Sequence, residues 1–419
     1  MITRLRRLPQ TLLASTDALQ GMVMAAATLI AGGFDYAVQI VIGRLLVNEF
    51  GLFLAVTALL QVAVFATNVI RNVVAYYMAD LTAQSDSLPA LGHFLRQSWR
   101  WAWKWGLVAT AVMALLSPWL AQLLRIDTVW PLLAGSLLLL LLFLRPVTDG
   151  ALQGVQHFNG LGSVQIMQSV LRLFLAPAFI WLGWRSAGAI LSLPVASAGA
   201  LLLALWLLQP YFQAGEGESK NTGQAVSWDY SMLTLIGLFA FAIMSNIHPI
   251  VVQRLFTTEI ANNFSPVATL GRMNLFVPLG IGLVLFPKAT QRHASGQDPR
   301  PVLLLALAAT LLPGLGLTAV YFLFPAQLVQ LIFTDAYANP GIVLGLVGLA
   351  TTLFAGVNIW LNYALSVGKR PFVYALALIV LAQTLAMFLF SPTTLALALT
   401  MTIAGVTGNV LGLLFCLNR

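Results

Sequence analysis

Three ionisable side chains stand inside long apolar stretches of this chain: Asp35, Arg172 and Arg272. A charge at mid-bilayer costs about 2.5–3.5 kcal/mol on insertion scales, so such a group faces a partner or a cavity and is a functional candidate by default. Asp35, in Gly32-Gly33-Phe34-Asp35-Tyr36, has the chemistry to carry a proton, coordinate Na⁺ or balance a buried cation; a structural ion pair is the competing reading. Arg172 follows Gln165 and Gln168 by seven and four positions, which puts all three on one helical face. Such a strip, capped by a guanidinium, suits phosphate, which arginine grips in a bidentate fork. The competing readings for Arg172 are snorkelling and a pair with Asp35 across the bundle. Arg272, with Asn274 beside it, places a second cation and amide in the other half of the chain. A helix beginning near Pro266 would put Arg272 close to its outer end, where headgroup contact competes with substrate contact.

Weaker polar features accompany these. Thr57, Gln61, Asn68 and Asn72 recur at helical spacing with Arg71 alongside, a stripe that lipid would reject. Asn358 and Asn362 make a smaller copy. His248 precedes Pro249 inside an apolar run, and a histidine beside a bent backbone can titrate near neutral pH; a hydrogen-bonded structural histidine is the competing reading. The single cysteine, Cys416, and four scattered histidines point to no disulfide and no metal site. No catalytic residues, cofactor or enzyme activity are expected, and the candidate substrate-binding residues are Arg172, Arg272, Arg71, Gln61, Asn68, Gln165, Gln168 and Asn274, with Asp35 and His248 as ion-coupling candidates.

The elements that must hold these side chains follow from composition. Of 419 residues, 59% are hydrophobic and 8% charged, against roughly 25% charged in a soluble domain. So few charges cannot cover a water-exposed surface, and lipid must be the solvent for most of it. A helix crosses the hydrocarbon core in about 20 apolar residues. Twelve windows meet that length: 21–43, 51–72, 103–124, 128–147, 161–183, 186–208, 229–252, 262–286, 301–324, 340–364, 370–390 and 394–417. Trp101, Trp103, Trp105, Trp119, Trp130, Trp181 and Trp184 fall near window ends as interface anchors.

Charge orients the spans. With the N-terminus in the cytoplasm, Arg44, Arg125, Arg185 and Arg254 fall outside and Arg172 and Arg272 within spans, which leaves fifteen of the 21 Lys and Arg residues on the cytoplasmic side. The positive-inside rule thus accounts for the net charge of +8 without nucleic acid, and places both termini in the cytoplasm. The apolar stretch that follows Arg4-Leu5-Arg6-Arg7 is too long for the core of a cleaved signal peptide.

Gln209-Pro210-Tyr211 through Gly215-Glu216-Gly217-Glu218-Ser219-Lys220 has linker chemistry, with six windows on either side. The expected organisation is an N-terminal six-helix bundle over 1–208, a cytoplasmic linker over 209–228 and a C-terminal six-helix bundle over 229–419. Two halves that start on the same side imply a parallel repeat about an axis along the membrane normal. A trace survives: Arg44-Leu45…Glu49 ends the first window and Arg254-Leu255…Glu259 the seventh. The connections are short against a catalytic domain of about 100 residues, which favours transport over an integral-membrane polymerase or glycosyltransferase. The longest connection, 73–102, is apolar enough to extend its flanking helices.

Several segments carry a family resemblance: Ser245-Asn246-Ile247-His248-Pro249-Ile250-Val251-Val252, Ala268-Thr269-Leu270-Gly271-Arg272, Gly43-Arg44-Leu45-Leu46 leading to Glu49-Phe50-Gly51, Leu152-Gln153-Gly154 leading to Phe158, and Phe333-Thr334-Asp335-Ala336-Tyr337. The sequence resembles the polysaccharide-transporter branch of the multidrug/oligosaccharidyl-lipid/polysaccharide exporter superfamily, which includes O-antigen and capsule-type flippases. It departs where that branch often has an acid after Asn-Ile, here His248. The resemblance implies an all-α integral membrane protein of about twelve helices in two bundles, V-shaped around a central cavity. It further implies alternating access in a bacterial or archaeal plasma membrane and a lipid-linked oligosaccharide of the undecaprenyl-pyrophosphate type as cargo. An H⁺ or Na⁺ gradient is the candidate drive, and polysaccharide polymerase or export machinery the candidate partner. A cation-coupled multidrug antiporter of the same superfamily is the nearest rival.

Overall fold

The computed structural model describes residues 10–82, 87–213, 228–275, 298 and 300–417. Thirteen α-helices are present among them. In the N-terminal half they are α1 (Gln10–Leu45), α2 (Phe50–Thr82), α3 (Ser87–Leu123), α4 (Trp130–Gly154), α5 (Phe158–Phe179) and α6 (Arg185–Phe212). In the C-terminal half they are α7 (Trp228–Leu255), α8 (Thr258–Arg272), α9 (Arg300–Leu323), the short α10 (Pro325–Ile332), α11 (Ile342–Val367), α12 (Arg370–Phe390) and α13 (Thr394–Leu417).

Twelve of these helices overlap the apolar windows in order, and the short α10 falls between the windows 301–324 and 340–364. The stretch 73–102 is helical on both flanks, since α2 runs to Thr82 and α3 starts at Ser87. Helices α5 and α6 form one apolar run, Phe158–Phe212, broken by a π turn at Ile180–Trp184. There Gly183 has φ 87° and Arg185 φ 48°, left-handed conformations that reverse the chain without a loop. Pro266 lies inside α8, whose N-cap is Thr257 accepting from the Ile260 amide, so Arg272 stands at the far end of this helix from its start. Beyond Leu275 the window 262–286 lies outside the described residues, as does 214–227 of the expected linker. The outer surface is strongly apolar: Leu115 is 81%, Trp181 79% and Phe390 74% exposed. Water would not tolerate such a surface, and lipid covers it in a multi-pass membrane protein.

Both halves are built on one packing plan. In the first, α1 packs on α5, α2 on α4, α3 on α4, α4 on α6 and α5 on α6. In the second, α7 packs on α12, α8 on α11, α9 on α11, α11 on α13 and α12 on α13. Position by position these are the same pairs, which makes the two bundles a parallel pseudo-repeat. Glycine permits the closest approaches, as expected where helices associate in lipid by packing alone. A Cβ on Gly150 of α4 would stand 2.5 Å from the Arg71 carbonyl oxygen of α2, and one on Gly412 of α13 would stand 2.5 Å from Trp360 of α11.

The halves meet where α1 ends and α2 begins. Asn262 of α8 accepts from the Gly51 amide at 2.8 Å and donates to the Asn48 carbonyl at 2.7 Å. Arg44 donates to the carbonyls of Ile332 (2.8 Å) and Leu331 (2.9 Å), Tyr337 donates to the Gly43 carbonyl, and Phe50 lies against the rings of Phe333 and Tyr337. Tyr36 donates to the Thr269 carbonyl at 3.2 Å. The seam among Gly51, Leu54, Pro249, Val252 and Ala261 has no room for a water molecule. Gly51 and Ala261 are separated by the same 210 positions as Arg44 and Arg254, so equivalent points of the repeat touch at its pseudo-axis.

Candidate functional site

In the first half, seven polar side chains of α5 and its neighbours α1 and α4 form three separate groups. Arg172 is buried, and its Nη1 lies 3.5 Å from Asp35 Oδ1 on α1, whose side chain is 42% exposed. Its Nε is buried without a hydrogen-bond partner among the described residues. Gln168, one turn earlier on α5, turns to α4 instead and accepts from Arg145 Nη1 at 2.8 Å. Arg145 also pairs with Asp149 one turn along its own helix, at 3.2 Å, and both are largely buried. Gln165 meets Thr28 of α1 at 3.4 Å. The shared face of Gln165, Gln168 and Arg172 is therefore distributed over three partners on two helices.

Arg145 and Asp149 were not among the expected site residues. Counted with the cytoplasmic charges, Arg145 sits at the edge of window 128–147, and α4 continues to Gly154 and carries both groups into the bundle. The Arg-x-x-x-Asp spacing was the available signal, since residues four apart face each other on a helix. Arg71 on α2 is half-buried, its Nε has no hydrogen-bond partner among the described residues, and its backbone abuts Gly150, the neighbour of Asp149. Gln61 is exposed, and the side chain of Asn68 lies outside the described residues. Thr57 bonds back to the carbonyls of Phe53 and Leu54 in its own helix.

In the second half, Arg272 reaches from α8 to α7, where its Nη2 donates to Asn246 Oδ1 at 3.1 Å. Asn246 is held in turn by the Ala242 carbonyl and Ser245. Two residues on, His248 is fully buried, and neither ring nitrogen has a hydrogen-bond partner among the described residues. Its ring stands edge-on to Phe264 at 6.1 Å, and Arg272 is its charged neighbour. Among the described residues no carboxylate pairs with Arg272. Asn274 faces away, donating to the Gly348 carbonyl (2.9 Å) and Thr352 Oγ1 (3.0 Å) of α11. Asn362 bonds within its own helix to Asn358.

The arrangement holds one guanidinium in each half, one opposed by a carboxylate and one that, among the described residues, meets an amide and an imidazole ring. Such a pair of sites favours an anionic group, because burying a cation without a counter-charge costs several kcal/mol that a ligand anion would offset.

No protein-family model matches the chain, and no curated protein is significantly similar to it. Solved structures are. A MATE transporter in complex with MaD5 shares 14% identity over 94% of this chain and 93% of its own, with a TM-score of 0.61. An outward-facing multidrug resistance MATE family transporter of the MOP superfamily shares 15%, covering 94% and 95%, with a TM-score of 0.60. A MOP superfamily transporter from Pyrococcus furiosus, described as having a binding pocket of reverse polarity, shares 14% over 94% and 95%, with a TM-score of 0.56. At these identities the likeness is one of fold, and the chain has the two-bundle fold of the MATE transporters of the MOP superfamily.

Proposed function

We propose that the chain is an alternating-access membrane transporter of the multidrug-exporter type whose cargo is an anionic amphiphile. The structural neighbours, described as MATE transporters and in one case as a multidrug resistance transporter, support exporter-type transport better than they support the oligosaccharide flippase expected from sequence. One observation carries the choice of charge: Arg272 is held by Asn246 with no described carboxylate beside it. Asp35, Glu49 and Asp149 of the N-terminal bundle are each already paired with an arginine. A cationic drug would meet unopposed positive charge, whereas a phosphate or carboxylate would complete it. The neighbour with a pocket of reverse polarity is a precedent for such an inversion within this fold.

In this reading the contacts of Asn262 with Gly51 and Asn48 form a latch at the end expected to face outside, which corresponds to an outward-closed arm of the cycle. In the proposed cycle, a proton on Asp35 would release Arg172 for the cargo anion, coupling an H⁺ gradient to transport. An undecaprenyl-pyrophosphoryl oligosaccharide is the second reading, favoured by the same arginines because they suit a pyrophosphate. The test is transport by proteoliposomes of a fluorescent organic anion, an organic cation and a labelled lipid-pyrophosphoryl sugar. Movement of either anion with no movement of the cation is the expected result; efflux of the cation alone overturns the reading.

A further inference from the structure

A cavity of about 390 Å³ opens between α3 and α6, away from the arginines of the proposed transport path. Arg96, Trp99 and Arg100 line it from α3, and Gln209, Phe212 and Gln213 from the end of α6. Its size falls within the range of small-molecule pockets, about 300–1,000 Å³. The two arginines are one helical turn apart and so share a face. Arg96 Nη1 donates to the Phe212 carbonyl at 2.8 Å, tying the end of α6 to α3. Trp99 stands edge-on to Phe212 at 6.0 Å and to Trp103 at 6.4 Å, which gives the cavity an aromatic wall. Arg100 is exposed, and among the described residues no carboxylate pairs with it or lines the cavity.

Depth identifies the occupant. Arg96 and Arg100 precede the apolar window 103–124 by seven and three positions, and Gln209–Gln213 directly follow the window 186–208. Both walls thus reach the headgroup layer together, on the side that the charge distribution assigns to the cytoplasm. Just beyond Arg100 on α3, Trp101, Trp103 and Trp105 are exposed, with Lys104 over the Trp105 ring at 5.8 Å, an anchoring pattern of the membrane interface. Basic pockets between helices on that face suit anionic headgroups.

We propose that this cavity binds the headgroup of an anionic diacyl phospholipid. The phosphodiester lies between Arg96 and Arg100, the glycerol headgroup against Gln209 and Gln213, and the acyl chains leave along the apolar wall of Trp99 and Phe212 into the inner leaflet. The site is distinct from Arg172 and Arg272 and does not depend on the proposed cargo.

The test is native mass spectrometry of the full chain, released from micelles with phosphatidylglycerol or phosphatidylcholine, for wild type, Arg100→Gln, Gln209→Leu and Arg172→Ala. The melting temperature in phosphatidylcholine shows that each variant is folded. Expected are one retained phosphatidylglycerol per chain at about tenfold lower lipid concentration than phosphatidylcholine, loss of that preference in Arg100→Gln and weakening in Gln209→Leu. Arg172→Ala should behave as wild type. Equal retention of both lipids, an undiminished preference in Arg100→Gln, or displacement of the lipid by soluble glycerol 3-phosphate at equal concentration would overturn the proposal.

Discussion

Arg172 Nη1 on α5 lies 3.5 Å from Asp35 Oδ1 on α1, and this contact ties the first helix to the fifth. The two groups unlike lipid most strongly in that part of the bundle satisfy each other, while Arg172 keeps one donor unused. A double-mutant cycle of Asp35→Asn and Arg172→Gln should therefore be non-additive. Contacting pairs couple by about 0.5–3 kcal/mol, and the exposure of Asp35 places this pair toward the lower end through solvent screening. Thermal unfolding in detergent measures it, and strictly additive losses would show the two charges to be independent.

The interface between the halves predicts a cross-link. A Cβ on Gly51 would stand 2.9 Å from the Ala261 carbonyl carbon and 3.0 Å from its Cβ, so the two backbones must part by about 0.5–1 Å to reach the spacing of about 3.5–4.5 Å that a disulfide needs. In a background with Cys416 replaced, Gly51→Cys with Ala261→Cys should oxidise once the seam parts by that much, hold the outer end nearly closed and stop transport until reduced. Free transport by the oxidised protein would show that this seam does not open.

How much of this was legible in the residues differs from level to level. Composition and window length foretold the helices, because the bilayer fixes the length of any span. The repeat was faintly legible in Arg44…Glu49 and Arg254…Glu259, and packing makes it plain through matching helix pairs. Site residues were legible as types but not as partnerships. Gln168 and Arg172 share a face of α5, yet one turns to Arg145 and the other to Asp35, since neighbouring helices lie on both sides of that face. Asn262 gave no signal: an asparagine near a helix start reads as a loop residue, and only the fold brings the Gly51 amide and Asn48 carbonyl to it.

Glycines separate packing from flexibility. A Cβ on Gly150 would stand 2.5 Å from the Arg71 carbonyl oxygen, whereas one on Gly33 would meet nothing within 4 Å. Gly150→Ala should destabilise by about 1–3 kcal/mol, the cost of overpacking, and Gly33→Ala should leave melting unchanged or raise it slightly. Equal effects at the two positions would contradict the α2–α4 contact.

The latch should also depend on pH at its alkaline end. Burial raises the Tyr337 phenol above its ordinary value of 10.0. The folded pKa lies above the unfolded one, so the contribution is complete below about pH 10 and is lost as pH rises through the folded value. Tyr337→Phe, which removes the bond to the Gly43 carbonyl, should cost about 1 kcal/mol and flatten the alkaline decline in melting temperature. An unchanged decline in that variant would assign it to another group.

The most direct measurement compares wild type and Arg272→Gln in proteoliposomes, following an organic anion and an organic cation in parallel. The account predicts that wild type moves the anion and not the cation, and that Arg272→Gln, with its melting temperature retained, loses anion transport at least about tenfold, the equivalent of about 1.4 kcal/mol. Anion transport that survives the substitution, or cation transport by wild type, would contradict it.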